Sequence, residues 1–150
     1  MQNTRLIALV VEDDPNDSFL LERAFRKNGI DLPMYVCTDG AEAMAYLRAE
    51  GHYADRQKFP FPRLMITDLK MPRCSGFDLL TWLQTHPECS LIPKIVLSAS
   101  AEQRDIVKAY QLGANCYFQK PHSFDELCDL VSLAHRFWTR ALLPPLPQIC

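Results

Sequence analysis

Residues 6–15 read Leu-Ile-Ala-Leu-Val-Val-Glu-Asp-Asp-Pro. Six apolar residues with no polar alternation predict a short strand covered on both faces, the kind found in parallel sheets. Asp14-Pro15 then supplies a helix N-cap and a first-turn proline, so a helix follows the strand almost at once. That helix carries Phe19, Leu20, Ala24 and Phe25, and Gly29 closes it. A buried strand, an acidic turn and a helix make up one βα unit.

The same unit recurs down the chain. Met34–Thr38, Leu64–Thr67, Lys94–Leu97 and Cys116–Phe118 are further short, β-rich runs. Helical stretches separate them: Ala41–Ala49 after Asp39-Gly40, Phe77–Thr85 after a glycine-containing loop, and Ala101–Leu112 up to Gly113. Ser123–Arg140 opens with a Ser-x-x-Glu capping box, Ser123 with Glu126. Five βα units with right-handed crossovers predict an α/β fold, a five-stranded parallel doubly wound sheet of strand order 2-1-3-4-5. In such sheets function gathers at the carboxyl ends of the strands.

With 150 residues, 48% hydrophobic and 23% charged, the chain can bury one sizeable core. We expect a domain over residues 1–140 and a Pro/Leu-rich arm over 141–150. Sixteen Lys and Arg against eighteen Asp and Glu give a net charge of -2, with no basic field to hold nucleic acid. Six apolar residues before the acids are too few for a signal-peptide core or a membrane span, so a cytoplasmic location without membrane attachment is expected. The six cysteines form no CxxC pair and no zinc-like spacing with histidine, which predicts reduced, structural thiols.

Chemistry is predicted where strand ends converge. Glu12 and Asp13 end strand one and Asp68 ends strand three, its neighbour at about one strand spacing, roughly 5 Å. Carboxylates that close oppose one another's ionisation and call for a hard divalent cation such as Mg2+. Ser98 at the end of strand four and Lys120 after strand five bring a hydroxyl and an ammonium to the same edge. Together these groups suit a phosphoryl group, with Asp68 as the central nucleophile forming an acyl phosphate. Asp14 is read simply as the helix cap, and Lys120-Pro121 taken alone would read as a turn.

These residues, with Met71-Pro72-Arg73-Cys74-Ser75-Gly76, resemble the receiver domains of two-component signalling, the CheY-like superfamily, over residues 5 to 138. The resemblance implies a response regulator that is no enzyme beyond slow self-dephosphorylation. Asp68 is then the phospho-acceptor, and Glu12, Asp13, Asp68 and the backbone carbonyl of Lys70 are the Mg2+ ligands. Ser98 and Lys120 become the phosphate-binding pair and Tyr117 the aromatic switch; read from its strand alone, Tyr117 is equally a core residue. The first acid is Glu where Asp is commoner, and Ser98 stands where Thr is frequent. No histidine constellation supplies the phosphoryl group, which implies a sensor histidine kinase or phosphotransfer protein as donor.

The connection Gly51–Arg63 is longer than the usual loop. With Asp-Leu-Lys-Met-Pro at 68–72 and Gly-Ala-Asn-Cys-Tyr at 113–117, it is similar to small response regulators that partner phytochromes, implying a phytochrome-type kinase. The last predicted helix carries Phe124, Leu127, Val131, Ala134 and Trp138 on one stripe, widened by Leu130, Leu133 and Phe137. Phe137, Trp138, Leu142 and Leu143 are therefore expected to form a partner face, and the arm either frays or packs on a second subunit in a homodimer. With no second domain expected after this one, output would come by docking to another molecule or by altered dimerisation, or the domain would serve as a phosphate sink. Three other functions fit the residues less well. An aspartyl phosphohydrolase usually has an acid where Lys70 stands, and a phosphorylation-independent module would not need the complete acid, hydroxyl and lysine set. A flavin binder would need a phosphate-cradling loop that the βα turns lack.

Overall fold

A computed structural model describes residues 6–147 of the chain. Its strands are β1 (Ala8–Val11), β2 (Met34–Cys37), β3 (Leu64–Thr67), β4 (Lys94–Ser98) and β5 (Cys116–Gln119). They form one sheet in the order β2-β1-β3-β4-β5, and every pair is parallel. The helices are α1 (Pro15–Lys27), α2 (Gly40–Leu47), α3 (Gly76–Gln84), α4 (Pro87–Ser90), α5 (Gln103–Gln111) and α6 (Phe124–Arg140). The one-turn α4 has no counterpart in the sequence reading; Pro87 at its first position starts it.

Period-two alternation divides the core between the two faces of the sheet. Leu9, Val11, Met65 and Val96 join Leu79, Leu80 and Leu83 of α3 on one side. Val10, Leu64, Ile66, Ile95 and Leu97 meet Leu21, Ala24 and Phe25 of α1 and Cys128 and Val131 of α6 on the other. Each fully buried Leu or Val adds about 1.5–3 kcal/mol relative to exposure. Full burial on both faces holds for β1, β3 and β4 but not for the edge strands, where Met34, Tyr35 and Cys116–Phe118 are half-buried and Val36 is exposed. An edge strand has a neighbour on one side only, so helices cover it incompletely.

Helix ends follow local chemistry. The Asp14 carboxylate accepts from the Asn16 amide at 2.9 Å, and Gly29 takes φ +69 beyond the end of α1. Of the Ser123/Glu126 box, the half in which the Ser123 hydroxyl accepts from the Glu126 amide is present at 3.1 Å. A complete, unforeseen box forms between Ser75 and Asp78 at α3. Helix α5 starts at Gln103 rather than Ala101, because Glu102 is its N-cap and the Ser100 hydroxyl takes the Glu102 amide at 3.2 Å.

The long connection after α2 is folded rather than loose. After a 3-10 turn at Gly51–Tyr53, the buried rings of Tyr53 and Phe61 and the half-buried ring of Phe59 pack on the first core cluster. Arg56 donates to the carbonyls of Tyr46 (2.9 Å), Leu47 (2.8 Å) and Phe59 (3.3 Å), which caps the end of α2 where carbonyls lack helical partners. Beyond α6, Pro144, Pro145, Leu146 and Pro147 wall a cleft of about 240 Å³ against Phe61, Pro62, Leu91 and Pro93, at the amino-terminal end of the sheet. Among the described residues no helix is long and apolar enough to cross a membrane.

Candidate functional site

The sheet register brings the predicted residues to one edge. Val11 lies opposite Thr67, Thr67 opposite Val96, and Val96 opposite Tyr117. Beyond that line the next residues are Glu12 after β1 and Asp68 after β3. The Asp68 amide donates to the Val11 carbonyl at 3.0 Å, and the Lys120 amide donates to the Ser98 carbonyl at 2.7 Å. The four strand ends are thus stitched by main chain before any side chain is considered.

Asp68 is held on both carboxylate oxygens. The Leu69 amide donates to Oδ1 at 2.7 Å, and the Lys120 ammonium donates to Oδ2 at 2.8 Å. The same ammonium donates to Glu12 Oε1 at 2.7 Å and to Asp17 Oδ2 at 2.7 Å, which uses all three of its protons. One carboxylate oxygen each from Glu12, Asp13 and Asp68 lies within 4.8 Å of the others. Glu12 is buried, and its Oε2 has no hydrogen-bond partner.

The electrostatics follow from that crowding. Burial pushes the Glu12 carboxyl up from 4.5 to about 8; the bond from Lys120 opposes this, and the neighbouring Asp17 and Asp68 carboxylates reinforce it. Burial also works against the Lys120 ammonium, yet its bonds to Asp17, Asp68 and Glu12 hold its pKa above the ordinary lysine value. For Asp17 partial burial is outweighed by the Lys120 bond, so its carboxyl titrates below the usual range. The site is an excess of carboxylate around one shared cation, a setting that favours a further positive ion.

Ser98 is buried, and its hydroxyl accepts from the Ser100 amide at 3.2 Å. Tyr117 is half-buried against the first core cluster while its hydroxyl donates to the Ser100 carbonyl at 2.8 Å. The exposed Lys70 pairs its side chain with Asp105 of α5 at 3.4 Å. Away from this edge, Phe137 is 61% exposed and Leu142 fully exposed, whereas Trp138 packs on the second core cluster and Leu143 is half-buried.

Asp17 escaped the sequence reading. An acid in the first turn of a helix is expected from the helix dipole alone, and that ordinary explanation concealed its reach to Lys120. Ser100 and Asp105 were missed for a similar reason, since a serine in a loop and an acid in a first turn have no distinctive spacing.

Residues 8–132 match the response regulator receiver domain family. The chain is 31% identical over 143 residues to the response regulator Rcp1 of Synechocystis sp., covering 95% of each. A solved Mn2+-bound form of response regulator Rcp1 superposes with a TM-score of 0.82 at 31% identity, covering 93% of this chain and 99% of the other. The phosphorylated cyanobacterial phytochrome response regulator RcpA superposes with a TM-score of 0.86 at 34% identity, covering 95% and 100%. RPA3017, a response regulator in red light signalling of R. palustris, gives 0.89 at 28% identity, covering 93% and 99%.

Proposed function

Because this chain belongs to the response regulator receiver domain family, we propose that it accepts a phosphoryl group on Asp68 from the phosphohistidine of a sensor kinase or phosphotransfer protein. The observation that carries the reading is the Lys120 ammonium bonded at once to Asp68 and Glu12, with Asp13 beside them, at the carboxyl edge of the sheet.

In the transfer, an Asp68 oxygen attacks phosphorus and the phosphorus–nitrogen bond of the phosphohistidine breaks. The electron pair leaves on the imidazole, which takes up a proton, and an acyl phosphate remains on Asp68. The Leu69 amide fixes the carboxylate, and Lys120 is placed to pass from it to the incoming phosphoryl oxygens. Glu12, Asp13 and Asp68, with the Lys70 carbonyl, would hold Mg2+. The clustered oxygens and the unpartnered Glu12 Oε2 fit a hard cation, and the Mn2+-bound form of Rcp1 supports the assignment. Bound there, the ion supplies positive charge against the phosphoryl oxygens.

The acyl phosphate carries about -1.5 to -2 charge where the carboxylate carried -1, and presents new phosphoryl oxygens, which draws in Ser98 and Lys120 and shifts the loop after β4 together with Tyr117. Its slow hydrolysis resets the switch. The likeness to RcpA and to RPA3017 supports a phytochrome-type kinase as donor. The exposed Phe137 and Leu142, flanked by Trp138 and Leu143, support a homodimer face to which the arm contributes through residues 141–147, its last three residues lying outside the described ones. A net charge of -2 accords with a cytoplasmic protein that binds neither nucleic acid nor membrane.

The test is phosphoryl incorporation from a cognate kinase, or from acetyl phosphate with Mg2+, into the wild type and Asp68→Asn. Label on the wild type alone is expected; equal labelling of the two would overturn the assignment.

A further inference from the structure

Ser100, two residues beyond Ser98, uses every polar group it has. Its amide donates to Ser98 Oγ at 3.2 Å and its carbonyl accepts the Tyr117 hydroxyl at 2.8 Å. Its own hydroxyl accepts the Glu102 amide at 3.2 Å and donates to Asp105 Oδ2 at 2.6 Å. Asp105 lies in the first turn of α5 but is turned inward, with 8% of its surface exposed. The hydrogen bond from Ser100 is the main cause holding its carboxyl below the ordinary range, and Lys70 at 3.4 Å adds to it.

A path of contacts therefore runs from Ser98 through Ser100 and Asp105 to Lys70, two residues past Asp68. A hydrogen bond to an ionised, largely desolvated carboxylate is roughly twice as strong as one between neutral groups, so it is the firmest link in this path. It is no part of the N-cap of α5, which is Glu102 and carries no side-chain cap hydrogen bond.

We propose that Asp105 is a positioning residue for the phosphoryl site: by gripping the Ser100 hydroxyl it fixes the loop after β4, and the Ser100 amide in turn holds the Ser98 hydroxyl where a phosphoryl oxygen arrives. The proposal rests on the reading of Asp68 as phospho-acceptor. Lys70 is a minor contributor, since its 61% exposed side chain is screened by water.

The experiment titrates the full chain with beryllium trifluoride, a phosphoryl mimic, in the presence of Mg2+, and follows backbone amides by NMR. Asp105→Ala and Ser100→Ala are each expected to weaken binding about fivefold, the scale of one charge-assisted hydrogen bond partly replaced by water. The double variant should be no weaker than either single one, because both remove the same link. Asp105→Asn keeps an acceptor oxygen and should stay within about twofold of wild type, a conservative rescue. The Ser100 amide should exchange with solvent faster in Asp105→Ala and Ser100→Ala but not in Asp105→Asn.

A helix cap alone would lower the melting temperature and leave beryllium trifluoride affinity and Ser100 exchange unchanged, and that outcome overturns the proposal. So does additivity in the double variant, or an Asp105→Asn that behaves like Asp105→Ala. If the wild type itself fails to bind the mimic, the phospho-acceptor reading has failed instead, and Ser100 exchange alone then decides whether Asp105 holds the loop. Should Asp105→Ala not fold, Ser100→Ala with Asp105→Asn gives the same comparison.

Discussion

Replacing Lys120 by Met keeps most of the side chain's length and removes only its charge and three donors. What is lost can be read from the partners. Glu12 and Asp68 have side chains 7% and 11% exposed, so neither regains water easily, while Asp17 at 39% does. Removing one partner of a buried ion pair costs about 3–5 kcal/mol. The cluster does not incur that penalty three times over. Glu12, with a carboxyl pushed up to about 8, carries a proton near neutrality, and Asp17 is rehydrated. The loss falls mainly on Asp68, which places Lys120→Met near the lower end, about 3 kcal/mol, or a melting temperature lower by about 6–12 °C for a domain of this size. The deficit should depend on pH. It shrinks in acid as carboxylates take up protons, and it grows above about pH 8, where wild-type Glu12 ionises beside the ammonium while the variant's Glu12, without the Lys120 bond that lowers its pKa, is held protonated. Urea and thermal unfolding of both proteins without divalent cations, at acid, neutral and alkaline pH, measure it. A variant within about 1 kcal/mol of wild type, or a deficit that stays constant with pH, would refute the assignment of the cluster's cohesion to Lys120.

Glu12 has its own pH signature: its folded pKa of about 8 lies above the ordinary 4.5, so it favours folding most fully below about 4.5 and loses that contribution as pH rises through about 8. Cation-free wild type should therefore weaken toward alkaline pH and Glu12→Gln should not; parallel urea midpoints for the two would contradict this. At Gly76 an added Cβ would lie 2.0 Å from the Asp68 carbonyl oxygen and 2.9 Å from Leu69 Cα, both main chain. Gly76→Ala should lose at least about 3 kcal/mol and much of its phosphoryl uptake, and a near-normal unfolding midpoint would count against it. Arg56→Met leaves the last carbonyls of α2 without its donors, which predicts a loss of about 2–4 kcal/mol and new protease cleavage within residues 51–63; an unchanged digestion pattern would show that the rings hold the segment unaided.

Much of this was legible in the sequence because the signals are local and redundant. The run up to Val11, the Asp14-Pro15 start and the Gly29 stop each specify one element, and five such units leave few arrangements open. Strand ends then follow from topology, which is why Glu12, Asp13, Asp68, Ser98 and Lys120 could be placed together without knowledge of a single distance. What stayed hidden depends on side-chain direction. Asp17 and Asp105 are both first-turn acids, and nothing in their spacing distinguishes an acid that faces water from one that turns in to a lysine or a serine. The connection at 51–63 has neither helical nor strand periodicity, so the packing of Tyr53 and Phe61 and the grip of Arg56 on α2 had no pattern to announce them. The half-exposure of β2 and β5 is a property of position in the sheet, which a run of β-branched and aromatic residues does not encode.

The charge at the carboxyl edge explains why so stable a frame surrounds so unfavourable a cluster. Glu12, Asp13, Asp17 and Asp68 gather about one ammonium, and their mutual repulsion would drive them apart on a looser scaffold. They are held because each follows or lies in a strand or helix whose apolar residues are buried: Val11 precedes Glu12, Met65 and Ile66 anchor the strand that ends before Asp68, and Leu21 anchors the helix that presents Asp17. The proton on Glu12 is a partial remedy, and a divalent cation is a fuller one because it offsets two charges without occupying Lys120. A phosphoryl group reaching an edge without that cation would meet net negative charge; with the cation it would meet a site close to neutral, in which Lys120 could pass from Asp68 to the new oxygens. In the proposed transfer Glu12, Asp13 and Asp68 would take a divalent cation before the phosphoryl group arrives, and the stored repulsion of the acidic edge would make it responsive to both.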